Sequence, residues 1–288
     1  MNNCAAAAMV LAETRRRGVR MKSASARAAA WAISSLVSSA PLAAQDLLQY
    51  IDVTSPEMVS AEMTRADVEA TIASAAATAQ PADFTGKKLS GLDLSGLDLS
   101  RSVFRAARLN KTNLADTNLN GATLDQAWLL SADLRRAKLE DASIFAAQMQ
   151  RATLDEADLS GARITADLTG ASLVGALLIG ANLGADMKNQ SMGLMRAVLK
   201  SANLERAVLR DADLSRVDLK FASLKNTDLT NASLRHAALA GATLASVTMA
   251  GTDFLGADLA STRLIAPIGL DAAKNLDQAQ NIDRLLRE

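Results

Sequence analysis

Three observations predict an all-β solenoid, a chain wound into a parallel square coil. From Phe84 to Leu264 a large apolar residue returns every fifth position. The residue two places before it is small: Ala at 107, 122, 127, 132, 137, 142, 147, 152, 157 and 162, with Thr, Val or Ser as occasional substitutes. The other three positions carry Asp, Asn, Ser, Thr, Lys, Arg and Gly. A period of five fits neither the 3.6 of a helix nor the 2.0 of a strand, so Leu114, Leu119 and Leu124 share no face of either. The chain must turn at every repeat. If each unit forms one side and one corner and four units close a square, the large residues, here called centres, point inward. Each then stacks on the residue twenty places on, burying its core only against neighbouring coils.

Residues 121–140 show the unit four times, and Ala132-Asp133-Leu134, Ala157-Asp158-Leu159, Ala202-Asn203-Leu204 and Ala212-Asp213-Leu214 carry its signature, Ala-(Asp/Asn)-Leu-x-x. Over about two thirds of the chain this pattern resembles the pentapeptide-repeat proteins. The resemblance implies a right-handed quadrilateral β-helix, a handedness that the spacing does not supply.

Counting gives a register. Centres run in fives to Ile164, shift to Leu168, Leu173, Leu178, Leu183 and Met187, and resume at Leu194. The six steps from 164 to 194 are 4, 5, 5, 5, 4 and 7 residues, together 30, so the irregularity cancels itself. On this count 37 centres make about nine coils, and the rod is roughly 43 Å long at the usual strand spacing of about 4.8 Å. Each buried Leu contributes on the order of 1.5 to 3 kcal/mol, enough to hold the fold without disulfides or metal. Phe84 and Phe104, one coil apart, should stack.

Composition agrees with a narrow interior, since aromatics are 3% of a chain that is 49% apolar. Lys plus Arg equals Asp plus Glu at 31 each, so there is no overall field to attract nucleic acid or anionic membrane. Cys4 and His236 each stand alone, which excludes a disulfide framework and a Cys/His metal site. No cofactor motif is recognisable.

Residues 1–44 read as a signal peptide or targeting leader. Arg15, Arg16, Arg17, Arg20, Lys22 and Arg27 precede the uncharged Ala28–Ala40, and Pro41-Leu42-Ala43-Ala44 offers a cleavage site near Ala44. Met21 would begin a conventional signal by itself. The apolar stretch is too short to span a membrane. The expectation is a periplasmic or secreted protein, with a disordered basic tail on a cytoplasmic protein as the alternative. Residues 45–81 read as an N-terminal helical cap. Ser55-Pro56-Glu57 starts one helix, and Thr64-Arg65-Ala66-Asp67 resembles a capping box before a second ending near Ala79. Residues 82–266 form the β-helix, and 267–288 read as a C-terminal cap of short helical turns. In relatives that this chain resembles, C-terminal helices can also mediate dimerisation, so the reading is a cap that closes this end of the rod, with a homodimer through it as the alternative.

Outward positions hold the candidates for function. On two adjacent sides of the counted coil the residue before the centre repeats Asp, at 93, 133, 213 and 253, then at 98, 158, 218 and 258, with Arg and Lys interspersed to neutralise them. Apolar residues stand where polar ones are expected at Val174, Leu177, Ile179, Met192, Met195 and Val198, flanking the irregular stretch. The count puts Val198 one coil above Leu177. Such a patch usually means that something packs there, a protein partner or the chain's own N-terminal segment. A weaker candidate is Arg108, Trp128, Leu130 and Phe145, with Arg108 below Trp128 for a cation–π contact. No catalytic set assembles around His236. The reading is a non-enzymatic scaffold acting by surface recognition. The alternatives are a cytoplasmic DNA mimic that binds a topoisomerase such as gyrase, as some members of the family do, and an enzyme of unknown class.

Overall fold

The five-residue unit closes its own hydrogen bonds in a way that explains its composition. In the computed structural model, which describes residues 52–185 and 195–287, the residue before each centre pairs in parallel with its counterpart one coil on, as in Asn113 with Asp133 and Asp133 with Thr153. The Leu114 N–H donates to the Asp133 carbonyl at 2.6 Å, and the Asp133 N–H to the Thr112 carbonyl at 3.0 Å. At the corner the Ala137 N–H donates to the Leu134 carbonyl at 3.1 Å, and the Arg136 N–H reaches the next coil at Asp155. That leaves one amide per unit, just after the centre. The Asp or Asn before the centre takes it: Arg135 N–H to Asp133 Oδ1 at 3.1 Å, Ser160 to Asp158 at 3.0 Å, Glu205 to Asn203 at 3.1 Å. The Asp of the repeat is thus a turn residue before it is a surface charge.

Each regular five-residue corner takes a left-handed residue two places after the centre. Gly fills many, but Arg136 (φ 55°), Asn226 (φ 56°) and Phe221 (φ 60°) also adopt it. Every centre from Phe84 to Leu264 outside the break is at most 5% exposed. Thr in the small inward position is accommodated because its hydroxyl donates to a centre's carbonyl, as Thr112 to Leu89 at 2.8 Å and Thr252 to Leu229 at 2.7 Å. Phe84 and Phe104 stack with centroids 5.0 Å apart.

Longer strands form in two places, and only the first runs on through a corner. These are β1 (Ser143–Gln148) paired with β2 (Arg163–Asp167), and β3 (Thr243–Ala245) with β4 (Arg263–Ile265) and β5 (Leu286–Arg287), all parallel. The register shifts between Phe145 and Gln148, where the four-residue step from Ile164 to Leu168 shortens one corner.

The break does not cancel itself. Asp167 pairs with Val198, Ser172 with Asn203, Leu177 with Val208 and Asn182 with Asp213. The Ala197 N–H donates to the Leu183 carbonyl at 3.2 Å, the bond that elsewhere joins residues three apart, so eleven residues are inserted at one corner between Leu183 and Ala197. Met187 and Leu194 match the spacing of centres but fall in this insertion and outside the described residues. The ladder therefore holds 35 centres, not 37, and every side after the break is displaced by two.

At the N-terminal end α1 (Pro56–Val59) follows Ser55 with Pro in its first turn, and α2 (Arg65–Ala77) begins at the Thr64–Asp67 capping box. Between them Ala61 pairs antiparallel with Leu89, and the Glu62 N–H donates to the Lys88 carbonyl at 2.9 Å. Arg65 donates to the carbonyls of Asp93 and Ser95, both at 3.1 Å, and Val68 is fully buried. The first coil's edge is covered.

The C-terminal segment differs from the helical cap that its sequence suggested. Its three 3-10 turns, Leu270–Ala272, Leu276–Gln278 and Ile282–Arg284, are corners of one more coil. Ile268, Lys274, Gln280 and Leu286 pair with Thr248, Asp253, Asp258 and Arg263, so the step has lengthened from five residues to six. Gly269, Asn275 and Asn281 supply the left-handed residue at each new corner. The hexads read Ile-Gly-Leu-Asp-Ala-Ala, Lys-Asn-Leu-Asp-Gln-Ala and Gln-Asn-Ile-Asp-Arg-Leu. The extra residue is what the helical reading mistook for a turn of helix.

Candidate recognition surface

The displaced register redistributes the predicted surface residues. Leu177 and Ile179 lie on the side formed by Leu99, Leu119, Leu139, Leu159, Leu178, Leu209, Leu229 and Met249. They are 36% and 41% exposed. Directly above Leu177 stands Val208, half-buried, and directly below stands Asp158. Val174, half-buried, adjoins them across one corner, on the preceding side. Val198, by contrast, pairs with Asp167 and Asp218 two sides away, on the opposite face of the coil, and half-buried Met195 precedes it by three residues. The expectation that Val198 sits over Leu177 is thus overturned by the eleven-residue insertion. Met192 lies outside the described residues. The patch that does form is Val174, Leu177, Ile179 and Val208. Val208 was missed because the counted register put it elsewhere.

The weaker group is also divided. Arg108 and Trp128 pair as neighbours on one side, with Leu130 beside Trp128, while Phe145 belongs to the side before. Asn110 ties Leu130 to the cap, accepting the Leu130 N–H at 3.0 Å and donating to the Met58 carbonyl at 3.0 Å. The cation found over an aromatic ring is Arg163, 5.8 Å from the Phe145 centroid.

The acidic ladders separate in the same way: Asp93 and Asp133 share one side, Asp213 and Asp253 the opposite one, and Asp98 and Asp158 are likewise parted from Asp218 and Asp258. Local bonds satisfy them. The Arg135 side chain, and then its N–H, holds the Asp133 carboxyl below the usual carboxylate range. Hydrogen bonds from Ser95, first its hydroxyl and then its N–H, lower Asp93. Burial pushes Asp253 up, but Asn275, the Leu255 N–H and Arg235 together hold it low. Asp116 and Arg136, one coil apart at a corner, form a two-pronged pair at 2.7 and 2.8 Å. His236 is exposed at a corner beside Arg235, whose guanidinium is held by Asp253 at 2.7 Å. Among the described residues no group of three or more His, Cys, Asp or Glu could hold a metal ion, and no helix is long and apolar enough to cross a membrane. A crevice of about 330 Å³ opens between α2 and the first coil, walled by Ile72, Ala75 and Ala76 on one side and Asp98, Ser100 and Arg101 on the other.

A solid coil with its interior filled by leucine and its variation confined to the skin defines a class of repeat protein that works by its surface. The chain belongs to the pentapeptide-repeat family: eight copies of the repeat match over residues 82–121, 117–161, 146–187, 194–231 and 227–264. Members of this family adopt the right-handed quadrilateral β-helix and are generally non-enzymatic binding or structural proteins. Among solved structures the chain is similar to HetL, a pentapeptide-repeat protein involved in heterocyst differentiation regulation in the cyanobacterium Nostoc sp. strain PCC 7120. The two are 27% identical over 72% of this chain and 92% of HetL, with a TM-score of 0.37. It is also similar to QnrB1, a plasmid-mediated fluoroquinolone resistance protein, at 17% identity over 59% of this chain and 84% of that one, TM-score 0.37. No curated protein matches the chain.

Proposed function

We propose that this protein is a non-enzymatic scaffold that acts by protein–protein recognition on its outer faces after export to the periplasm. The observation that carries the reading is the exposed pair Leu177 and Ile179 beside Val208 and Val174, on a side where the repeat needs no apolar residue. Export is supported by the basic then apolar segment ending at Ala44, which lies outside the described residues. A DNA mimic needs an acidic skin to replace phosphates, and within the coil, residues 82–266, 21 Lys and Arg match 20 Asp and Glu. The test is affinity capture from a periplasmic extract with the mature protein and with a Leu177→Lys/Ile179→Lys double variant. Partners retained by the first and lost by the second support the reading; identical partners from both contradict it. N-terminal sequencing of the exported protein tests the leader.

A homodimer through the C-terminal coil is the second part of the proposal. Ile268 and Leu286 are 55% and 49% exposed there, and no further coil pairs with this edge in the described chain. A free parallel edge with apolar side chains favours a second copy. Because the cap covers the other end, like ends must meet, which closes a two-fold dimer. Light scattering on the full chain and on an Ile268→Lys/Leu286→Lys variant checks it: a dimer that becomes a monomer is expected, and a monomer in both overturns it.

A further inference from the structure

The patch around Leu177 has a charged collar, and its sign identifies the kind of partner. Resting on the reading that this surface docks a protein, we infer that the partner presents a basic amphipathic segment, two or three aliphatic side chains flanked by Lys or Arg. In its own column Leu177 stands on Asp158, and Val208 above it is followed by Asp228. Ile179 is followed in its column by Arg210, whose carbonyl accepts the Gly180 N–H at 2.9 Å, and Asp211 takes the corner above Gly180. Across the corner Val174 lies between Asp155 and Glu205, its N–H bound to Asp155 at 3.0 Å, and Glu156 precedes Gly175 at the corner itself.

Six carboxylates therefore surround four aliphatic side chains, against Lys225, which follows Glu205 in its column, and two guanidiniums, Arg206 and Arg210. Those two already face inward on the collar's own charges: Arg206 contacts Glu205 at 3.3 Å, and Arg210 contacts Asp228 at 2.8 Å. The local excess is three negative charges on a coil that is otherwise nearly balanced, with 21 Lys and Arg and 20 Asp and Glu over residues 82–266. Turn formation explains Asp158 and Asp228, which accept the N–H two residues on; it does not explain Glu156 or Asp211, which stand at corners that Gly fills elsewhere. An apolar centre inside a like-signed rim favours a partner of the opposite sign, through faster encounter and rejection of acidic competitors.

The test is a selection of random dodecapeptides displayed on phage, against the immobilised full chain, with depletion on the Leu177→Lys/Ile179→Lys variant. Retained sequences should join aliphatic residues to Lys or Arg, with a net positive charge, and be enriched at least about tenfold over the variant. A synthetic peptide of the consensus should bind more weakly in added salt, and about fivefold more weakly to an Asp158→Asn/Asp211→Asn variant, the scale of two exposed ion pairs. Neutral or acidic peptides enriched on the wild-type chain alone overturn the charge inference and leave the docking surface standing. Equal recovery on both chains removes the docking surface and the inference together. Basic peptides that bind the lysine variant as well as the wild type overturn it too, as attraction without a site.

Discussion

Leu134 and Leu177 are both leucines on the same rod, and their surroundings make them opposite in consequence. Leu134 is a centre with no exposed surface, whereas Leu177 is 36% exposed just before a centre. Lysine at 134 buries an unpaired ammonium in the ladder and should cost more than about 4 kcal/mol, melting several coils. Lysine at 177 should change stability by less than about 0.5 kcal/mol. Thermal melts followed by circular dichroism distinguish them, and similar losses at both would mean that Leu177 is core. A second residue-scale prediction concerns Gly241, at φ 72°, where an added Cβ would come within 2.6 Å of the Phe221 ring lying against it. Gly241→Ala should cost about 1 to 2 kcal/mol, from the left-handed backbone and the displaced ring together. Replacing Phe221 as well, by Ser, should recover the part due to the ring, which a double-mutant cycle would read.

At the scale of the element, what was legible in the sequence depended on whether neighbouring units obeyed the period. Thr64 with Asp67, and Ser55 before Pro56, announced their helices because capping is local chemistry within four residues. The C-terminal hexads were misread because Leu270, Leu276 and Ile282 recur every six residues with Asp after each, which suits a helical turn as readily as a wider corner. Only pairing with the coil before decides, and pairing is non-local. The insertion after Leu183 misled in the same way: Met187 and Leu194 have the size and the spacing of centres, so counting accepted them. Its true length makes a prediction. Deleting Ala185–Met195 joins Leu183-Gly184 to Arg196-Ala197-Val198-Leu199 and restores an unbroken step of five. That deletion should fold with a melting temperature near the parent's, while deleting ten residues of the same stretch should not. For the cap, Thr64→Ala removes a side chain that accepts the Asp67 N–H and should cost about 1 kcal/mol.

Over the whole molecule acid should act first on the first three coils and on the coil of Asp253, where the depressed carboxyls stand. Asp83, Asp93, Asp116, Asp133 and Asp253 are all held below the ordinary carboxylate value by hydrogen bonds or by an arginine. A carboxyl depressed in the folded state stabilises it above the unfolded value, near pH 4, and that contribution is lost as pH falls through the folded value. The melting temperature should therefore be level from about pH 5 upward and fall steadily below about pH 4; a rise on acidification would contradict the turn role of these residues. At the same scale, the eleven-residue insertion displaces the later coils by two sides and so builds the patch from Leu177 and Val208. Disulfide trapping tests it directly, in a chain with Cys4→Ser. Leu177→Cys paired with Val208→Cys should cross-link readily on oxidation, since paired neighbours on adjacent coils lie within disulfide reach. Leu177→Cys paired with Val198→Cys should not. Cross-linking of 177 with 198, and none with 208, would contradict the register and with it the patch.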